Sequence, residues 1–217
     1  MKMTIFLSLF ILVFLGCSFK SPPNEWQYKS VNAFDAYTKD FLSAKDRLAT
    51  NDLDRAIKHA KQSADLKTLA KIYLGECALN ISIGIDDKCN KYQSIANLVD
   101  DKKLDAYFNF IRLNLDKLDV DALHENYKDF ALYLLKNDKT KAKKTLLFIK
   151  KPTSKLLAAA LIKDDLDNYT REEILKSASF LGYKKSVLFW LNEIKRHTYN
   201  KEQLRKITKK IEIINSK

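Results

Sequence analysis

From residue 32 onward, apolar residues recur at spacings of three and four, and strict alternation of apolar and polar residues is scarce. This periodicity is typical of amphipathic α-helices. The clearest stripes are Phe34/Tyr37/Phe41/Ala44/Leu48, Leu53/Ala56/Ile57/Ala60/Ala64, Leu66/Ala70/Tyr73/Cys77/Ile81 and Leu204/Ile207/Ile211/Ile214. We place the start of the second helix after Asn51 and Asp52, which are suitable caps. The pattern predicts about ten or eleven helices.

The scarcity of turn residues supports the same fold class. Beyond residue 16 the glycines are Gly75, Gly84 and Gly182, and the prolines are Pro22, Pro23 and Pro152. A β-rich fold of this length would need many more of both. The sequence therefore predicts an all-α fold. Its length suits a single domain with a sizeable core, which we assign to residues 32–217.

The first sixteen residues, MKMTIFLSLFILVFLG, carry one early positive charge, then an apolar run, then a small residue. That order is typical of a secretory signal. The apolar run is shorter than the roughly 20 residues that a membrane-spanning helix needs. We therefore predict that residues 1–16 are an export signal that is removed.

The segment VFLGC, residues 13–17, resembles the lipobox of bacterial lipoproteins. The resemblance implies that the thiol of Cys17 is acylated with chains such as palmitate, and that this lipid anchors the protein in a membrane. Residues 17–31 would form a lipidated tether, because the segment has two prolines and no helical stripe. Ser18, in place of an aspartate, implies the outer membrane, facing the periplasm. The alternative is an ordinary secretory signal followed by a chance cysteine.

Three segments of the chain are alike: NDLDRAIKHAKQSA from Asn51, NDKTKAKKTLLFIK from Asn137 and LGYKKSVLFWLNEI from Leu181. Five positions after its start each has a small residue (Ala56, Ala142, Ser186), and four further on an Ala or a bulky apolar residue (Ala60, Leu146, Trp190). This pattern resembles the second helix of a tetratricopeptide repeat. The resemblance implies helical-hairpin repeats in an α-solenoid. The solenoid would be irregular, because the small residues do not recur at the usual period of about 34 residues.

Cys77 and Cys89 are the two cysteines beyond Cys17. Cys77 lies on a helical stripe and Cys89 follows a turn, so two adjacent antiparallel helices would bring their sulfurs together. The oxidising periplasm favours a disulfide. Sel1-like repeats, which are related to tetratricopeptide repeats, also join helix pairs by disulfides. Two free thiols are the alternative, and a metal site is disfavoured because no histidine lies nearby in sequence.

The search for catalytic residues finds no constellation. His59, His124 and His197 stand alone on separate predicted helices, without a partner at a metal-binding spacing. The chain has too few glycines for a phosphate loop or a dinucleotide fingerprint. Glu172 and Glu173 lie at a predicted helix start, where carboxylates stabilise the positive helix end. We therefore predict no catalytic residue, cofactor or metal, and no enzymatic activity.

The formal net charge of +12 comes mostly from lysine, because only six of the 39 basic residues are arginine. Proteins that read nucleic acids rely on arginine, so we predict no nucleic-acid partner. A positive domain at a membrane would attract anionic lipid or cell-wall polymer. The alternative is a solvated lysine-rich surface. The same two interpretations apply to the basic run KNDKTKAKKTLLFIKKPTSK, residues 136–155.

The lipobox, NEWQYKS and IYLGECALNISIGIDDKC together resemble a small group of helical bacterial lipoproteins to which no activity is assigned. The resemblance implies an envelope lipoprotein with repeat-like helices. We expect a scaffold or adaptor that binds another envelope protein on a concave face. The alternatives are a carrier of lipid or glycan and an envelope enzyme with a helical pocket.

Overall fold

The computed structural model describes residues 25–216, and in this range it contains helices, turns and loops but no β-strand. The α-helices are α1 (Glu25–Leu42), α2 (Asp46–Gln62), α3 (Leu66–Ser82), α4 (Asn90–Gln93), α5 (Ala96–Val99), α6 (Lys102–Ile111), α7 (Glu125–Leu135), α8 (Lys139–Phe148), α9 (Pro152–Leu161), α10 (Asn168–Phe180), α11 (Lys184–Arg196) and α12 (Lys201–Asn215). Short 3₁₀ turns follow α6 and α9. The predicted all-α fold is confirmed.

Polar side chains ahead of the helices cap their first turns. The side chains that accept hydrogen bonds from backbone N–H groups two or three residues later are Asp65, Asp101, Asp138, Asp167 and Asn200. Asp and Asn are preferred at this position because their oxygens satisfy donors that have no partner inside the helix. These residues determine where α3, α6, α8, α10 and α12 begin.

The same three-residue link joins α1 to α2, α2 to α3, α7 to α8 and α10 to α11. The middle residue of each link has a positive φ; these residues are Ala44, Ala64, Asn137 and Gly182. The residue after it donates its backbone N–H to the carbonyl five residues earlier, as Lys45 does to Asp40 at 2.9 Å. This is the Schellman type of helix end. These four helix pairs are therefore joined by turns of the same backbone geometry.

The helix that we predicted to begin after Asn51 and Asp52 begins earlier. α2 starts at Asp46, so both residues lie inside it. The predicted boundary was wrong because Ala44 adopts the positive φ that ends α1, and an alanine gives no sequence signal for that conformation. Leu48, which we assigned to the first stripe, lies in the first turn of α2 and is exposed.

The small residues of the three similar segments are fully buried, as expected where two helices approach closely. Ala56, Ala142 and Ser186 have no exposed surface. Ala142 and Ser186 lie in the first turns of α8 and α11, whereas Ala56 lies near the middle of α2. The three segments therefore do not occupy equivalent positions in their helices.

α3 lies at the centre of the fold and packs against α1, α2, α6 and α9. Nine of its seventeen residues are buried, whereas Lys67 and Lys71 are exposed. α9 contributes Leu156, Leu157, Ala158 and Ala159, each at most 2% exposed. The alanines allow the two helix backbones to approach closely. The contact between α3 and α9 joins the two halves of the chain.

The packing order is partly that of a stack of repeats. From α7 to α12, each helix contacts the next one along the chain. Distant elements also meet, since α3 packs against α9, and Lys185 of α11 contacts α1 and α2. Its ammonium lies 2.6 Å from Asp46 and 4.0 Å from the centre of the Phe41 ring. Repeats of a solenoid contact only their neighbours, so the predicted α-solenoid stays a prediction.

The first helix begins at Glu25, although we predicted that the domain begins at residue 32. Ser30 is fully buried, and its hydroxyl donates to the carbonyl of Ala56 at 2.8 Å. Residues 25–31 therefore belong to the folded unit and not to a tether. The apolar pattern missed them because a serine occupies the buried position. The predicted signal, residues 1–16, and Cys17 lie outside the described residues.

None of the helices within residues 25–216 combines the length and the apolar composition that crossing a membrane requires.

We expect Ala64→Gly to stabilise the protein. Ala64 has a φ of 54° and is exposed, so glycine relieves the strain without removing a packed group. The free energy of unfolding should rise by about 0.5–1 kcal/mol, because relief of the left-handed strain is partly offset by the entropy of glycine in the unfolded chain. Thermal unfolding measures the change. Ala36→Gly, inside α1, is the control and should destabilise by about 1 kcal/mol. A lower midpoint for Ala64→Gly would contradict the expected strain.

Candidate functional site

Cys77 and Cys89 form the disulfide that the sequence predicts, with their Cα atoms 5.3 Å apart. Cys77 lies on α3, as expected. Cys89 immediately precedes the four-residue helix α4 and has a φ of 57°, so the bond does not join two long antiparallel helices. Both cysteines are 2% exposed. The bond itself is therefore buried, whereas the short loop that it closes lies at the surface, where Ile85 and Asp86 are exposed.

Hydrogen bonds of Asp87 hold this disulfide loop in place. The Asp87 carboxylate accepts from the backbone N–H of Cys89 and from the side chain of Asn80, both at 2.7 Å. The Asp87 carbonyl accepts from the Arg112 guanidinium, also at 2.7 Å. The two sulfurs and the Asp87 carboxylate are close enough to hold a metal ion. The disulfide, however, leaves no thiolate to act as a ligand, so we assign this cluster a structural role.

We expect Cys77→Ala to lower the free energy of unfolding by about 2–4 kcal/mol, because the unfolded chain regains the entropy of the open loop. Thermal unfolding with and without reductant measures the effect. The reductant should lower the midpoint of the natural protein and leave that of Cys77→Ala unchanged. Equal midpoints of the natural protein under both conditions would mean that the bond adds no stability.

The three histidines lie at or near helix ends. His124 is the N-cap of α7, where its Nδ1 accepts from the backbone N–H of Asn126 at 3.2 Å. His59 lies near the end of α2, 3.1 Å from the side chain of Gln62. His197 follows α11, and its Nδ1 lies 2.9 Å from the carbonyl of Glu193. The structure does not bring the three histidines to one site.

A large open groove lies among α3, α6, α7 and α9. Its volume is about 950 Å³, and the lysines in its lining are Lys71, Lys103, Lys128 and Lys151. These residues come from α3, α6, α7 and the N-cap of α9. None of the four forms an ion pair with another described residue. Twelve other lysines in the described part of the chain are ion-paired. The groove is thus lined by four lysines that have no ion-pair partner among the described residues.

Hydroxyl groups form the inner wall of the groove. Tyr107, Tyr127 and Ser154 line it, and Tyr127 and Ser154 are 7% and 5% exposed. Tyr127 forms hydrogen bonds with both Ser154 and Tyr107. Burial raises the pKa of both tyrosines. Both phenols are therefore protonated at neutral pH, and together with Ser154 they form a hydrogen-bonded polar wall.

A narrower part of the groove continues past these hydroxyl groups toward α1. It has a volume of about 340 Å³ and shares Tyr107, Tyr127, Lys151 and Ser154 with the larger part. Its walls carry apolar side chains, which include Phe34, Leu79 and Leu157. The phenyl ring of Phe34 packs directly against Gly75. A side chain at position 75 would collide with this ring. The groove therefore has a basic end and a more apolar end.

The N-terminus of α9 opens into the groove. Lys151 is the N-cap of this helix and provides no side-chain hydrogen bond to it, and Pro152 is the first helical residue. Proline suits this first helical position, since it loses no hydrogen bond there. Thr153 and Ser154, in the first turn, line the groove. The first backbone N–H groups of a helix have no partner within it, so the end adds donors and a positive dipole.

A second cavity, beside α11, has cations that are already paired. Its lining includes Lys163, Lys185 and Arg196. Lys163 pairs with Asp164 at 2.9 Å, and Arg196 pairs with the buried Glu193 at 3.2 Å. Lys185 pairs with Asp46, as described above. Because these charges are balanced within the protein, the groove is the better candidate site.

The basic run at residues 136–155 divides into paired and unpaired lysines. Lys139 pairs with Asp165, Lys141 with Asp138 and Lys143 with Asp167. Lys151, near the end of the run, lines the groove. The run therefore does not form one continuous cationic patch. Sequence reasoning missed the groove because its other lysines come from three helices outside this run.

No protein family, curated protein or solved structure matches the chain. Its function is therefore inferred from the residues and their arrangement.

Proposed function

We propose that this chain is a membrane-anchored lipoprotein of the bacterial cell envelope that acts as a non-enzymatic scaffold or adaptor. The observation that carries the proposal is the open groove, to which four helices contribute side chains. Surfaces of this kind, built from several packed helices, are typical binding faces of helical-repeat proteins. Another envelope protein would occupy the groove.

The proposal includes an irregular α-solenoid of the tetratricopeptide kind. The recurring three-residue link and the succession of contacts from α7 to α12 support it. In this arrangement, the contacts of α3 with α9 and of α1 with α11 form where the stack curves back on itself. The curvature would turn α3, α6, α7 and α9 toward one common groove.

A carrier of lipid or glycan is the second candidate function. One observation favours it: the narrower end of the groove is lined by Phe34, Leu79 and Leu157, next to the buried hydroxyl groups of Tyr127 and Ser154. An apolar wall with a few convergent polar groups is typical of sites for small molecules.

The anchor in this proposal is acylated Cys17, supported by the lipobox-like segment VFLGC. α1 begins at Glu25, the eighth residue after Cys17. Eight residues span at most about 26 Å when fully extended. The lipid would therefore hold the folded unit close to the bilayer, which we propose is the outer membrane on its periplasmic side.

We expect Cys17→Ser to abolish acylation and leave the folded unit unchanged, since the substitution lies outside the described helices. Labelling with radioactive palmitate should mark the natural protein and not the variant. The variant should either remain as an uncut precursor or be lost from the membrane fraction. Absence of label on the natural protein would contradict the lipoprotein assignment and favour an ordinary secretory signal.

The scaffold proposal predicts a stoichiometric protein partner after mild crosslinking in the envelope. Lys128→Glu reverses a charge in the groove and should reduce recovery of this partner severalfold. Lys136→Glu reverses the charge of an exposed lysine just after α7, outside the groove lining, and is the matched control. Failure to recover any partner, or equal loss in both variants, would contradict the groove as the scaffold's binding face.

A further inference from the structure

The four groove lysines line one cleft, and none of them forms an ion pair with another described residue. Asp121 and Glu125 also line the groove, but neither is ion-paired to any of these lysines. Four positive charges around one cleft repel one another, and their combined field attracts a multivalent anion. With four lysines against two carboxylates, the lining of the cleft has an excess of positive charge that favours an anion.

The uncharged donors of the groove suit an anion with several oxygens. The start of α9, which has no side-chain cap, borders the same space as Tyr107, Tyr127 and Ser154, whose hydroxyl groups are hydrogen-bonded to one another. Helix N-termini bind phosphate through their free N–H groups and positive dipole. Here that helix end is accompanied by lysines from three other helices, so the groove offers donors from several directions.

We propose that the groove binds an organic phosphate, either as a free phosphate ester or as the headgroup of a phospholipid. The inference rests on the second candidate function, a carrier of lipid or glycan, and names the chemistry of the ligand that the groove would take. A volume of about 950 Å³ is much larger than a phosphate ion needs and suits a phosphate that carries a polar group such as glycerol or a sugar. The apolar extension toward Phe34 accommodates a less polar substituent.

The composition of the groove favours phosphate over carboxylate. Arginine has the planar fork that matches a carboxylate, whereas lysine binds phosphate as a point charge. The groove lining contains four lysines and no arginine. His124 also lines the groove. A phosphate presents its oxygens in a tetrahedron and meets such charges from several sides. An acidic peptide is therefore the competing ligand in the test.

The test measures binding to the full chain in a nonionic detergent by isothermal titration calorimetry. The probes are glycerol 3-phosphate, a monoester, and glycerophosphoglycerol, the water-soluble headgroup of an anionic phospholipid. Glycerol and a glutamate-rich peptide are the comparison ligands. We expect both phosphates to bind, with affinity that falls as salt is added, and glycerol not to bind. Tighter binding of the monoester indicates a soluble ligand, and tighter binding of the diester indicates a lipid headgroup.

Matched lysine variants identify the site. Lys103→Gln should weaken phosphate binding about fivefold or more, because it removes a charge-assisted contact. Lys102→Gln removes the same charge one residue away on α6, outside the groove lining, and should leave the affinity unchanged. Ser154→Ala should weaken binding without changing the net charge. Thermal midpoints of all variants should match that of the natural protein within a few degrees, which separates lost binding from lost folding.

The outcomes separate this inference from the proposed scaffold. Absence of phosphate binding, equal weakening by Lys102→Gln and Lys103→Gln, or binding of the peptide alone would overturn the phosphate site. A protein partner whose recovery depends on Lys128 would in that case still support the scaffold. Phosphate binding without any recovered partner would support the site and reject the scaffold.

Discussion

The packing of α3 against α9 is the contact on which the rest of the structure depends. It joins helices that are far apart in the chain, and it lies in a core cluster that contains Ala70, Ala78, Ala158 and Ala159. Small side chains allow close approach of the helix backbones, which leaves room on either side for other helices. α6 packs on α3 and α7 packs on α9, so the four helices surround one cleft. The groove is thus a consequence of the core.

The lysines of this protein differ in their electrostatic surroundings more than in their exposure. A single surface ion pair adds little stability, about 0–1 kcal/mol, so the pairs of Lys139, Lys141 and Lys143 do not hold the fold together. Their effect is to neutralise three of the eight lysines of the basic run. The four groove lysines form no ion pair with a described residue, and they outnumber the two acidic side chains, Asp121 and Glu125, that line the same groove. The position of the unpaired lysines therefore says more about a binding partner than the net charge of +12 does.

Features that depend on short stretches of sequence could be predicted. The stripes of α3 and α12 follow the helical period, Pro152 marks the start of α9, and the disulfide joins cysteines twelve residues apart. The end of α1 could not be predicted, because Ala44 adopts a conformation that usually requires glycine or asparagine. The start of α1 was missed because Ser30, a polar residue, occupies its buried face.

The groove could not be predicted because its parts come from separate helices. Lys71, Lys103 and Lys128 have no common spacing, and nothing in the sequence near each of them marks a site. Tyr107 and Tyr127 follow the helical period of α6 and α7, but that period predicts only that a side chain faces inward. Whether an inward tyrosine fills the core or borders a cavity depends on how the helices meet. In this fold, the contact of α3 with α9 decides that.

Two connections join α3 and α6, one near each end of the pair. Near the start of both helices, Lys67 pairs with Asp101 at 2.5 Å. Near their other ends, the Arg112 guanidinium donates to the carbonyl of Asp87 in the disulfide loop. The two helices therefore run side by side in the same direction, and Lys71 and Lys103 lie near the end held by the ion pair. The disulfide acts at the far end, so its contribution to the groove is to keep α6 parallel to α3 rather than to position the lysines directly.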